Sequence, residues 1–303
     1  MFFSVPVRAH CGVMAAMKPS SYSGLGAALV IVIGWWGVSV AGAALMGRMG
    51  MVSGLVGSLA VLALVLAVLW GATQWCTRRV AVPEVPLMHR WGILAVGCML
   101  TAGSWGALRF GLPFRLCWEA LSTCGQILVV VVAAGYLPRF LKSPAELLPL
   151  VSVMVCADAV SFLVGPTHHI AQDVAAYYTG GRQGLYPLSE VLLMKFPSPG
   201  THALYPFFGV ADWFMVVFLA SASRFFSLAD QVIGIPAAVL GLSLAVAAAW
   251  TLGVFVPALP VLALFYLAVM GMRHTAVFKP GRREVALAAF PPLVSVALLF
   301  IKG

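Results

Sequence analysis

Charge is what this sequence has least of. Asp, Glu, Lys and Arg make up 9% of 303 residues, and only nine are acidic. Soluble domains carry about 25% charged residues. A chain this poor in charge cannot cover a globular surface with polar groups, so lipid has to be part of its solvent. Mean hydropathy is +1.02, with 62% apolar residues. The apolar stretches are unbroken runs, such as 54–70 and 125–137, without the period-two alternation of a membrane barrel. Backbone at membrane depth must then close its hydrogen bonds within helices. Several catalytic signatures are missing as well. There is no H-E-x-x-H for a zinc protease and no G-x-S-x-G for a serine nucleophile. The six cysteines show no C-x-x-C and read as small hydrophobes.

The net charge of +9 comes from basic residues scattered through short loops between apolar runs. That distribution is a topology signal and excludes a nucleic-acid surface. The fold class is therefore all-α, a polytopic membrane helical bundle. About nine spans are expected, near 24–46, 52–71, 91–109, 118–137, 145–165, 206–224, 231–254, 257–272 and 285–301. The run after Arg8 and Lys18 is too long for a signal-peptide core and reads as a retained first span. In a nine-span arrangement Arg48, Arg109, Arg115, Arg182, Lys195 and Lys302 fall on one side, and the other twelve of the 18 cations share the side of the N-terminus. The N-terminus is then cytoplasmic, in a cell (inner) membrane if the source is bacterial. The chain divides into an N-terminal set of about four spans, 1–143, and a region 144–303 that carries the chemistry. The longest polar interval, 166–205, contains 187–196, whose apolar spacing predicts an interfacial helix or, alternatively, a substrate-facing flap.

Most of the nine acids fall in loops or near span ends; Asp158 and Asp212 do not. A charged carboxylate at the bilayer centre costs about 2.5–3.5 kcal/mol, which makes an intramembrane acid a functional hypothesis by default. The two lie on consecutive expected spans, which must run antiparallel and can bring them to one depth. Two carboxylates in a dry site cannot both ionise cheaply, so one keeps its proton. Such a pair can hold a water, deprotonate it with one member and polarise a scissile carbonyl with the other. On the acids alone three readings stand together: an aspartyl dyad, a proton or cation relay in a transporter, and structural acids bonded to groups such as Ser161. His168, His169 and Asp173 lie in the polar interval without a further ligand at fixed spacing, and read as interfacial side chains.

The neighbouring residues favour the first reading. Gly209-Val210-Ala211-Asp212 resembles the G-x-G-D motif of presenilins and signal peptide peptidases. Pro257-Ala258-Leu259-Pro260 resembles the P-A-L motif of the same families, and Asp158-Ala159-Val160-Ser161 resembles the first-aspartate segment of microbial members. The order is also shared: first aspartate, polar loop, second aspartate, a further span, then P-A-L-P. The resemblance covers about 151–272 and implies a presenilin-like intramembrane aspartyl protease. It implies Asp158 and Asp212 as catalytic residues, and Gly209, Ala211 and Pro257–Pro260 as the substrate-binding backbone. It further implies transmembrane proteins or signal peptides as substrates, the lipid bilayer as surroundings, and neither cofactor nor metal. A proline-interrupted backbone at Pro257–Pro260 would leave groups free to pair with an unwound substrate. Two positions depart from the pattern. Ala211 stands where the family has a second glycine, and Ala157 where it has tyrosine, which keeps an inactive presenilin-like protein among the alternatives.

Overall fold

The computed structural model describes residues 23–48, 86–197, 201–228, 234–252, 257–273 and 280–302, with six isolated positions between 63 and 75. Among the described residues the chain forms nine α-helices and one hairpin. The helices are α1 (Ser23–Arg48), α2 (Leu87–Arg109), α3 (Arg115–Tyr136), α4 (Leu147–Val164), α5 (Pro166–Thr179), α6 (Val210–Phe225), α7 (Gly234–Leu252), α8 (Ala258–Arg273) and α9 (Arg282–Lys302). Among the described residues, four segments are long and apolar enough to cross a membrane: Gly26–Gly47, Leu87–Arg109, Arg115–Phe140 and Pro144–Leu163. They coincide with the first, third, fourth and fifth expected spans. The expected span at 52–71 lies largely outside the described residues. Helix α5 lies in the interval read from the sequence as a polar loop.

The core is built around α6. Its residues Trp213, Met215, Val216, Val217, Phe218, Leu219, Ala220 and Ala222 are all buried, on every side of the helix. A helix apolar and buried all round belongs at the centre of a structure. Helices α3, α7 and α8 and the strand before it surround α6. Tyr266 of α8 hydrogen-bonds Ser223 Oγ and donates to the Leu219 carbonyl at 3.3 Å, tying those two helices together. Helices α2 and α3 come close at Gly97 and Gly125, where a Cβ on Gly125 would stand 2.6 Å from the Gly97 carbonyl oxygen. Small residues permit such an approach of two backbones. The outer faces are apolar and exposed, with Leu29, Val30 and Ile33 on α1 and Trp91 and Met99 on α2. Faces of this kind need an apolar neighbour.

The sequence misjudged the segment leading into α6. An interfacial helix was expected over 187–196, and a helical span from 206. Instead a short 3-10 turn, Leu188–Leu192, runs into strand β1 (Leu193–Pro197), which pairs antiparallel with β2 (Leu204–Gly209). The fold is thus mainly helical but not all-α. Phe196, Tyr205, Phe207 and Phe208 suit a pleated surface, and the Pro-Ser-Pro-Gly run at 197–200 is a turn signal. Phe196 meets Trp35 of α1 edge-to-face at 5.2 Å. The register pairs Leu193 with Gly209, Met194 with Phe208 and Lys195 with Pro206, leaving a bulge at Met194/Lys195. Bulges re-aim the chain locally and are common beside active sites.

Candidate active site

Strand β2 delivers the second aspartate. It ends at Gly209, which is the N-cap of α6, so Asp212 occupies the third helical position and not mid-helix. First-turn amides have no partner within their own helix, and the positive end of the helix dipole lies there. Asp212 Oδ2 accepts the Gly209 backbone N–H at 2.8 Å, folding the carboxylate back over the strand–helix junction. A Cβ on Gly209 would stand 3.3 Å from the same oxygen, so the carboxylate occupies space that the absent side chain leaves open. Ala211, in the same turn, is exposed.

The first aspartate comes from α4. Asp158 is partly buried, and its Oδ2 is buried without a hydrogen-bond partner. The backbone amide of Leu259 is directed at its carboxylate as a donor. Ser161, a candidate structural partner for Asp158, is engaged elsewhere. Its Oγ lies 2.6 Å from Thr167 Oγ1 and accepts the Thr167 amide at 3.2 Å. Asp158 is close enough for its charge to act on Asp212. The two helices meet through α8, which packs against both α4 and α6.

The Pro257–Pro260 segment starts a helix where the sequence suggested an interruption. Pro257 precedes α8, and Ala258, Leu259 and Pro260 form its first turn. An unsatisfied first-turn amide, that of Leu259, is offered to Asp158, while Pro260 has none to offer. The Leu259 side chain is buried among the core residues and anchors the turn. His169 and Asp173 lie on the exposed side of α5.

A second polar centre escaped the sequence reading. Glu119 and Glu190, assigned to span ends and loops, are buried together with Lys195. Lys195 pairs with Glu190, reaches Glu119 at 3.4 Å and donates to Tyr186 Oη at 2.6 Å. Arg182 also pairs with Glu119, and Arg115 reaches it at 3.1 Å. Tyr178 donates to Glu190 Oε2 at 3.2 Å. Burial and the neighbouring Glu190 carboxylate push the phenols of Tyr178 and Tyr186 above the usual tyrosine range, so both remain donors. The cluster fastens β1 to the start of α3. The four-residue spacing of Arg115 and Glu119 was its only local signal in the sequence. Gln126 adds a further tie, its Nε2 donating to the carbonyls of Val191 at 2.6 Å and Leu193 at 3.3 Å.

No protein-family model, curated protein or solved structure matches the chain. The functional reading therefore stands on this geometry and on the residues that form it.

Proposed function

We propose that the chain is a membrane-embedded aspartyl protease that hydrolyses peptide bonds within transmembrane segments, with Asp158 and Asp212 as its catalytic pair. The observation that carries the reading is the convergence of three separate segments on one place. The Asp158 carboxylate faces the Leu259 amide at the start of α8 and lies within electrostatic reach of Asp212, itself held by the Gly209 amide. The Gly209 amide orients the Asp212 carboxylate, and the start of α8 faces that of Asp158. Asp158 Oδ2 has no hydrogen-bond partner among the described residues, and in this reading it takes the attacking water.

In this mechanism one acid is ionised and the other protonated. The ionised carboxylate removes a proton from the bound water as its oxygen attacks the scissile carbonyl carbon. The protonated acid gives its proton to the carbonyl oxygen, and collapse of the tetrahedral intermediate expels the amine with a proton from the dyad. The residues provide orientation and proton transfer, without a covalent intermediate.

Reconstitution tests the reading. Purified protein in phosphatidylcholine liposomes should cut at least one of a panel of single-span peptides, and Asp158→Ala and Asp212→Ala should cut none. If no peptide is cut but wild-type liposomes carry a proton or cation flux that both variants lose, the acids form a relay and the protease reading is wrong.

A further inference from the structure

Independently of the chemistry at the aspartates, we propose that an anionic phospholipid is held against α2, with one acyl chain in a cavity beside the Leu188–Leu192 turn and its phosphate on Arg109. The cavity has a volume of about 380 Å³ and lies between α2, α3 and that turn. Its surface is apolar almost throughout, so its occupant is apolar too. On α2 the wall is formed by Cys98, Thr101, Ala102 and Trp105. These positions repeat at helical spacing, and Arg109 follows them on the same stripe. Arg109 closes the span Leu87–Arg109, and Cys98 stands at its middle. The rise from Cys98 to Arg109 is about 16 Å, against about 15 Å for the hydrocarbon of one leaflet. A chain laid along this stripe therefore runs from the membrane surface to the bilayer centre. A helix of that length, about 10 Å across, would occupy roughly 1,200 Å³ and is too large for the cavity.

The polar end of the site lies one turn beyond Trp105. There Arg109 Nη1 donates to the Tyr186 carbonyl at 3.2 Å, two residues before the Leu188 that lines the cavity. The same two walls, α2 and the segment 186–192, thus enclose the cavity and carry the cation at its end. Arg109 is half-buried, and no carboxylate among the described residues pairs with it. Tyr186 gathers further positive charge. Lys195 Nζ donates to its Oη at 2.6 Å, and the Arg115 guanidinium stands 5.9 Å from its ring. With Arg182, this end holds four cations against two carboxylates, Glu119 and Glu190. The excess selects a headgroup of net negative charge, and the planar fork of arginine suits a phosphate. Trp105 and Trp118 pack against Tyr177 and Tyr186 here, as aromatic side chains do at a membrane surface. A bound chain also packs on the turn that enters β1 and on Val210, the first residue of α6, so it braces the hairpin at both ends.

The test uses the full-length protein in dodecyl maltoside and phosphatidylglycerol with a photoreactive diazirine in one acyl chain. Labelled fragments should contain residues 98–105 or 126–129. Unlabelled phosphatidylglycerol should compete about tenfold or more better than phosphatidylcholine, and inorganic phosphate should not compete. Arg109→Gln should bring the two lipids to equal potency, whereas Arg109→Lys should keep most of the difference. Filling the cavity with Ala102→Trp, or from the opposite wall with Val129→Phe, should abolish the label at these residues. A ligand that binds only the folded state stabilises it, so phosphatidylglycerol should raise the unfolding midpoint of wild type more than that of Arg109→Gln. Label confined to the exposed face of α1 at residues 29–33, or spread evenly over the outer helices, overturns the site. Equal competition by the two lipids in wild type, or an unchanged preference in Arg109→Gln, overturns it as well. So does labelling of residues 98–105 by a single-span peptide carrying benzoylphenylalanine when the lipid leaves them unlabelled.

Discussion

The backbone amide of Leu259, in the first turn of α8, faces the carboxylate of Asp158 on α4. The donor is available because first-turn amides have no intrahelical acceptor. Leu259→Pro removes this N–H at a position in the helix where proline is tolerated. Leu259→Val keeps it while trimming the side chain. A hydrogen bond to a charged group contributes about 1.5–3 kcal/mol, so the proline variant should cleave about 10–100-fold more slowly than the valine variant. Thermal unfolding of both in detergent separates that loss from the change in core volume.

Gly209→Ala should impair cleavage more than it impairs folding. The φ of Gly209 is −75°, which alanine adopts freely, but the new methyl would stand 3.3 Å from Asp212 Oδ2. The carboxylate has to shift. Small displacements of a catalytic group cost up to about 100-fold in rate. Cleavage kinetics should fall by roughly tenfold or more while the unfolding midpoint moves little. Gly209→Val should fall further.

Charge removal in the second centre should act on stability first. Lys195→Met leaves Glu190 buried without its cation, and breaking one partner of a buried pair costs about 3–5 kcal/mol. Lys195→Met/Glu190→Gln should recover part of that loss. A double-mutant cycle followed by thermal unfolding should give a coupling above about 0.5 kcal/mol. Additive losses would show that the pair is not energetically joined.

Ser227 offers a stabilising change. It closes α6 in the left-handed region, at φ 50°, where Leu228 N–H bonds the Ser223 carbonyl and Ser227 N–H bonds that of Arg224. Glycine pays no Cβ penalty there. Ser227→Gly should raise stability by up to about 1 kcal/mol without altering cleavage.

Helices α1 to α4 were legible because unbroken apolar runs of sufficient length have one solution at membrane depth. The aspartates were legible for the opposite reason, as acids in apolar surroundings. What the sequence concealed was non-local. The hairpin at 193–209 has apolar residues at spacings that suit a helix or a strand, and only its pairing with β2 and its contact with α1 decide between them. Glu119 lies 76 residues before Lys195, and beyond the Arg115–Glu119 spacing nothing near it reveals that it shares a buried cluster with Glu190 and Lys195. Gln126 sits within an apolar run, and its partners are backbone carbonyls that leave no sequence trace.

The central claim is that Asp158 and Asp212 act as one unit. Its most direct test is kcat/KM for a cleavable single-span peptide in liposomes, measured for wild type, Asp158→Ala, Asp212→Ala and the double variant. Residues that work as a unit are strongly non-additive, so each single variant should drop to the background of the double, a loss of at least about 100-fold. A single variant that cuts at the wild-type rate, or cleavage that survives in the double variant, would contradict the dyad.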